Sequence, residues 1–141
     1  MSTIESLGDS IIAEARTWIN TPWHHNQACK GVGVDCARLY QAVLESLGVK
    51  VKLENYSRFA EGDSLLKQIR SIDCLMELID PSKREIGDCL VFMIGARPGH
   101  VGLCNGQGMI HADQRLGRVA EIKELGLSWE RRLCAVFRVV L

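Results

Sequence analysis

The apolar period of this chain changes once, and that change limits the folds open to it. In the first half, apolar residues recur at helical spacing. From residue 89 onward they alternate, or run in short blocks between turn residues. Ile11, Ile12, Ala15, Trp18 and Ile19 mark one helical stripe, with Asp9 as its cap and Thr21-Pro22 as its end. Leu39, Tyr40, Val43, Leu44 and Leu47 mark a second, capped by Asp35 and closed by Gly48, after a Gly-rich loop over 24–34. Asp63 heads a third helix carrying Leu65, Leu66, Ile69 and Ile72, and a short helical piece runs to Ile79 ahead of Pro81. The second half predicts strands at 89–94, 100–105, 109–113, 118–122 and 133–140. Helices first and strands afterwards define an α+β fold with a five-stranded, mainly antiparallel sheet. At 141 residues and 47% apolar, the chain suits a single domain, 1–141, with its own core.

Charge and cysteine usage exclude several classes. The formal net charge is zero, which gives nucleic acid no electrostatic footing. No apolar run approaches the ~20 residues of a membrane span. The N-terminus lacks a basic stretch followed by an apolar one, so the chain is expected to be made in the cytoplasm without a signal peptide. Cys74, Cys89, Cys104 and Cys134 sit inside apolar runs, where a reduced cysteine packs as a small hydrophobe.

Cys36 differs from these four. It follows Gly33-Val34-Asp35 at the start of the second predicted helix, where unpaired N–H groups and the helix dipole favour a thiolate. A nucleophilic cysteine needs a base, and the 100–113 hairpin offers one. A turn through Gly106-Gln107 pairs Cys104 with Met109, Gly102 with His111 and His100 with Asp113. Val101, Leu103, Ile110 and Ala112 then share an apolar face, while His100 and His111 share the other as diagonal neighbours, with Gly102 leaving space beside the rings. His100 can act as base, and His111 can orient it. His24, His25, Cys29 and Cys36 lack the short paired spacing of a zinc site, so no metal and no cofactor are expected. Asp113 projects onto the histidine face and reads as a strand-end carboxylate, while Arg38 and Arg97 read as surface or cleft cations.

The segments TPWHHNQACKGVGVDCARLYQAVLESLGV (21–49), IGDCLVFMIGARPGHVGLCNGQGMIHAD (86–113) and AVFRV (135–139) resemble the NlpC-type cysteine peptidases, papain-like enzymes that cut bacterial cell-wall peptides. TPWHH, GVGVDC and the closing strand look most like the branch found in bacteriophage tail modules and gene transfer agents. The resemblance implies Cys36 as nucleophile, His100 as general base and His111 as the third polar residue. It implies a papain-like fold with the nucleophile at a helix N-terminus, and a peptidoglycan stem peptide as substrate, cut at a γ-D-glutamyl–diamino-acid bond. Phage tail proteins are the implied partners, and the virion tail or the bacterial cell wall the implied place of action. Trp23, His25, Asp35 and Gly99 are the expected substrate-binding residues, with Asp35 also placed to meet a free amine of the peptide. Trp23 stands where this family carries a tyrosine, and Ala37-Arg38 stand where it carries a small residue and glycine.

Overall fold

In a computed structural model, residues 6–54 and 64–141 are described. Helix α1 spans Leu7–Arg16 and buries Ile11, Ile12 and Ala15. Its cap is Ser6, and Asp9 sits inside the first turn. The Asp9 N–H donates to Ser6 Oγ at 3.1 Å while Asp9 Oδ2 faces the Ser6 N–H, a reciprocal box that satisfies two end groups. This corrects the expectation of Asp9 as cap. The helix stops at Arg16, and Trp18 is buried from the turn that follows.

A small ribbon, β1 (Ala28–Cys29) and β2 (Gly33–Val34), occupies part of the Gly-rich loop and leads into α2, Cys36–Ser46. Leu39, Val43 and Leu44 are fully buried on α2. Each contributes about 1.5–3 kcal/mol by removal from water, so packing more than helix propensity holds this element. Gly48 follows the helix at φ +82°, a left-handed conformation that suits glycine. Arg38 is buried, against its reading as a surface or cleft cation. It donates to Gln41 Oε1 at 2.6 Å, the Leu53 carbonyl at 2.9 Å and the Glu54 carbonyl at 3.2 Å. Helix α3, Ser64–Arg70, buries Leu65, Leu66 and Ile69; its expected cap, Asp63, lies outside the described residues.

The chain then forms β3 (Leu75–Glu77), a 3₁₀ turn at Pro81–Lys83, β4 (Cys89–Ile94), β5 (Arg97–Cys104), β6 (Met109–Asp113), β7 (Arg118–Ile122), α4 (Leu127–Arg132) and β8 (Leu133–Val139). The large sheet runs β3-β8-β4-β5-β6-β7 with every ladder antiparallel. Among the described residues it has six strands, not five. The piece before Pro81, expected to be helical, is an edge strand pairing Leu75 with Val139 and Glu77 with Phe137. Three residues are too few to show a period, and the free edge of β8 decided their conformation.

Helices α1, α2 and α3 cover one sheet face, lined by Val91, Val101, Leu103, Ile110, Ala112 and Phe137. Leu90, Phe92, Cys104, Met109 and Val136 line the other, where Trp129 of α4 packs. The hairpin register is the expected one where it is hydrogen-bonded, Leu103 with Ile110 and Cys104 with Met109. That ladder stops there, whereas β4 follows β5 to the Ile94–Arg97 pair and β7 follows β6 to the Asp113–Arg118 pair. Strands β5 and β6 therefore part toward His100 and Asp113. Gly102 leaves no open space beside the rings, because the Met109 thioether fills the place a Cβ would take.

Candidate active site

Asp35 determines where α2 begins. It stays extended, and its Oδ1 accepts the Arg38 N–H at 3.0 Å, so Cys36 becomes the first helical residue. Cys36 is 8% exposed. Burial, helped by the adjacent Asp35 carboxylate, pushes its thiol up to about 12; the N–H groups of Val101, Ala37 and Cys36 itself pull the other way. The helix start was expected to favour a thiolate. In the resting protein desolvation outweighs the end-group dipoles, and Cys36 is a neutral thiol.

His100 stands on β5 one residue before Val101, whose N–H reaches the Cys36 sulfur. Its Nε2 lies 2.8 Å from His111 Nδ1, with the two rings nearly perpendicular at 84°. Trp129 stacks over the His100 ring at 5.2 Å between centroids and 30° tilt, and meets the His111 ring edge-on at 5.5 Å. The Arg132 guanidinium lies 4.0 Å from the centroid of the Trp129 ring. Burial, then the His111 and Arg132 charges, lowers His100 to about 3. Thiol and imidazole are thus both uncharged near neutrality. Among the described residues no hydrogen bond joins the Cys36 thiol to the His100 ring: the thiol belongs to the core under α1–α3, whereas the ring packs on Phe92 and Trp129 on the α4 face of the sheet.

His111 is fully buried. Burial lowers its pKa, and the Asp113 charge opposes that shift. Its Nε2 has no hydrogen-bond partner; Asp113 Oδ2 lies 4.0 Å away. The histidine pair is therefore a relay with one end toward Asp113 and the other toward the strand that carries Val101.

The loop before α2 is tied to the same helix start. Asp35 is 1% exposed, and its Oδ2 accepts the Asn26 N–H at 2.6 Å and faces His25 Nδ1 at 3.7 Å. With both oxygens engaged, Asp35 is a brace between loop and helix. Trp23 is half-buried, donates its N–H to the Gly117 carbonyl at 2.8 Å and bridges in parallel to Val34. His24 is exposed and His25 partly so. Gly99 is exposed beside the Ile94 side chain, directly before His100. Two surface hollows, one around Arg16, Asn105 and Lys123 and one around Gln41, Glu45 and Lys52, do not include Cys36 or the histidines.

No family model matches this sequence, and no curated protein matches it. Solved structures do. The NlpC/p60 domain of the peptidoglycan hydrolase SagA matches with a TM-score of 0.62 at 21% identity, over 96% of this chain and 100% of that one. An NlpC/p60 family protein from Bacillus cereus matches with 0.73 at 18% identity, over 96% of this chain and 41% of that chain. This chain has the NlpC/p60 fold. An N-acetylmuramoyl-L-alanine amidase from Bacteroides uniformis matches as well, with 0.61 at 12% identity, over 95% of this chain and 99% of that one. The chain spans all of the SagA domain and less than half of the Bacillus cereus protein.

Sequence reasoning missed two parts of this NlpC/p60 fold. One is α4, a six-residue helix too short to show a period, whose Trp129 roofs both histidines. The signal present was one large aromatic residue in the polar run 123–132. The other is the Asn26 N–H on Asp35, a contact between residues nine apart that no local pattern announces.

Proposed function

We propose that this chain is a cysteine peptidase that hydrolyses peptidoglycan stem peptides through Cys36, His100 and His111. The observation that carries the proposal is the 2.8 Å contact between His100 Nε2 and His111 Nδ1, on the strand whose Val101 N–H meets a cysteine at a helix start. Likeness in fold to domains of named peptidoglycan hydrolases supports the substrate class. The γ-D-glutamyl–diamino-acid bond rests on the sequence resemblance, as does an origin in a phage tail, with tail proteins as partners and the virion tail or cell wall as the place of action.

Because both groups rest neutral, the first step is a proton transfer concerted with attack. The Cys36 thiol proton passes to His100 Nδ1 as sulfur bonds to the substrate carbonyl carbon. The oxygen becomes an oxyanion, met by N–H groups at the start of α2. The imidazolium gives its proton to the leaving amine as the C–N bond breaks, leaving an acyl-enzyme. A water then gives a proton to His100 and its hydroxyl to the acyl carbon; the thiolate leaves and is reprotonated. Trp23 and His25 flank the loop beside Asp35, and Gly99 stands directly before the base, with the Ile94 side chain against it. Trp23 offers an indole N–H where the resembling family carries a phenol, so any donor role there has different geometry.

Incubation with purified peptidoglycan should release new peptide termini, identified by mass spectrometry. No release across several stem types, from protein with the circular dichroism spectrum of the folded chain, would contradict the substrate class. Products ending at the lactyl–alanine amide would favour amidase chemistry, the activity named for the Bacteroides uniformis neighbour. A second reading, an adaptor that keeps the fold with weak catalysis, is favoured by the buried thiol and by Cys36 and His100 lacking a direct hydrogen bond among the described residues. Mass spectrometry of the protein trapped with stem peptide separates the two: an acyl adduct on Cys36 supports the peptidase, and binding without adduct or turnover supports the adaptor.

A further inference from the structure

We infer that Asp113 is a positioning residue that holds the His111 proton on Nε2, sets the direction of the His111–His100 hydrogen bond and leaves His100 Nδ1 bare to receive the Cys36 proton. For its catalytic consequence this rests on the cysteine peptidase reading; the tautomer assignment does not.

The hydrogen bond between His100 Nε2 and His111 Nδ1 can run in two directions. In one, His100 Nε2–H donates, His111 Nδ1 accepts, and the His111 proton sits on Nε2. In the other, His111 Nδ1–H donates, and the His100 proton sits on Nδ1, where it blocks that nitrogen as a base. His111 Nε2 decides between them. It is sealed from solvent and lacks a hydrogen-bond partner, and the Asp113 carboxylate is 4.0 Å away. An N–H dipole aimed at a carboxylate is attractive, and a lone pair aimed at it is repulsive, more so in a site of low dielectric. The first direction is therefore favoured. In it His100 keeps its Nε2 proton through the cycle, and only Nδ1, the nitrogen nearer the β5 backbone, exchanges protons.

Asp113 also has a structural task. Its Oδ1 accepts the Arg115 N–H at 2.9 Å, its carbonyl accepts the Gly117 N–H at 2.8 Å, and it stands opposite Arg118 in the β6–β7 ladder. Asp113→Asn separates the two tasks. The amide oxygen can still accept from Arg115, while the charge is lost and an N–H₂ can face His111 Nε2, which rewards the opposite tautomer.

The test uses the whole chain with ¹⁵N-labelled histidine. In the wild type, ring-nitrogen NMR should show both histidines protonated at Nε2. In Asp113→Asn the His111 signal should move toward Nδ1–H. On peptidoglycan, kcat should fall about ten- to a hundredfold, the range for loss of a group that orients a functional histidine, with KM within about twofold. Asp113→Glu should recover part of kcat. In a His111→Asn background, which has no ring to orient, Asp113→Asn should change kcat less than about twofold. Unchanged tautomers and unchanged kcat in folded Asp113→Asn would overturn the inference. If that variant does not fold, Asp113→Ser, which keeps a turn acceptor without charge, is expected to show the same tautomer shift, and its absence overturns the inference equally. If the wild type proves inert on peptidoglycan, the functional reading fails while the NMR result still decides the role of Asp113.

Discussion

At the scale of single residues, the site is defined by groups kept uncharged. His100 is pressed to about 3 in the folded chain, against about 6.5 in an unfolded one. Between those values the unfolded chain binds a proton that the native one does not, so stability falls as pH drops from about 6.5 toward 3. Urea midpoints at pH 7, 5 and 4 should decline, and more gently in His100→Gln. Cys36 acts at the other end. Its native value of about 12 exceeds the unfolded ~8.5, so stability is lost as pH rises past about 9, and Cys36→Ala should blunt that loss. Asp35 has a different duty. Asp35→Ala removes a helix cap and leaves the Asn26 N–H without its acceptor, for a combined cost of about 2–3 kcal/mol in denaturant melts. Asp35 as a cap was legible in the sequence, because capping is a local rule. Its burial and its hold on Asn26 were not, because both depend on how the loop folds back.

At the scale of elements, what could be read from the chain follows length and periodicity. Helix α2 was visible from five apolar residues at helical spacing, and the hairpin from alternation around a glycine turn. Helix α4 and strand β3 were not visible, since six and three residues carry no period. The cost of that gap fell on the site: Trp129 is the contact that encloses the histidine relay. Trp129→Ala should open the relay to water and lower kcat by about tenfold, with a loss of about 1–3 kcal/mol in stability, the scale for a half-buried aromatic. A rise of the His100 pKa toward 6.5, followed by NMR, would accompany it; an unmoved pKa would contradict the roofing role. Arg38 ties α2 to the chain at Leu53 and Glu54 through charged donors. Arg38→Ala should cost about 2–3 kcal/mol, detected as a lower thermal midpoint, with hydrogen-exchange protection of 51–54 reduced first.

At the scale of the whole molecule, one helix start and one opened strand pair meet at the middle of a six-stranded sheet. Strands β5 and β6 separate beyond the Leu103–Ile110 pair. That parting leaves the Val101 N–H available to Cys36 and sets His100 and His111 ring to ring across the gap. Helices α1, α2 and α3 close one face, over Cys36, and α4 closes the other, over the histidine pair, of which His111 is fully buried and His100 half-buried. Among the described residues no helix is long and apolar enough to cross a membrane. The central claim is that this arrangement cleaves cell-wall peptides through Cys36, and mass spectrometry of peptidoglycan digests tests it most directly. Wild-type protein should release stem-peptide fragments with new amino termini, and Cys36→Ala, with an unchanged circular dichroism spectrum, should release none. Equal release by Cys36→Ala would contradict the account.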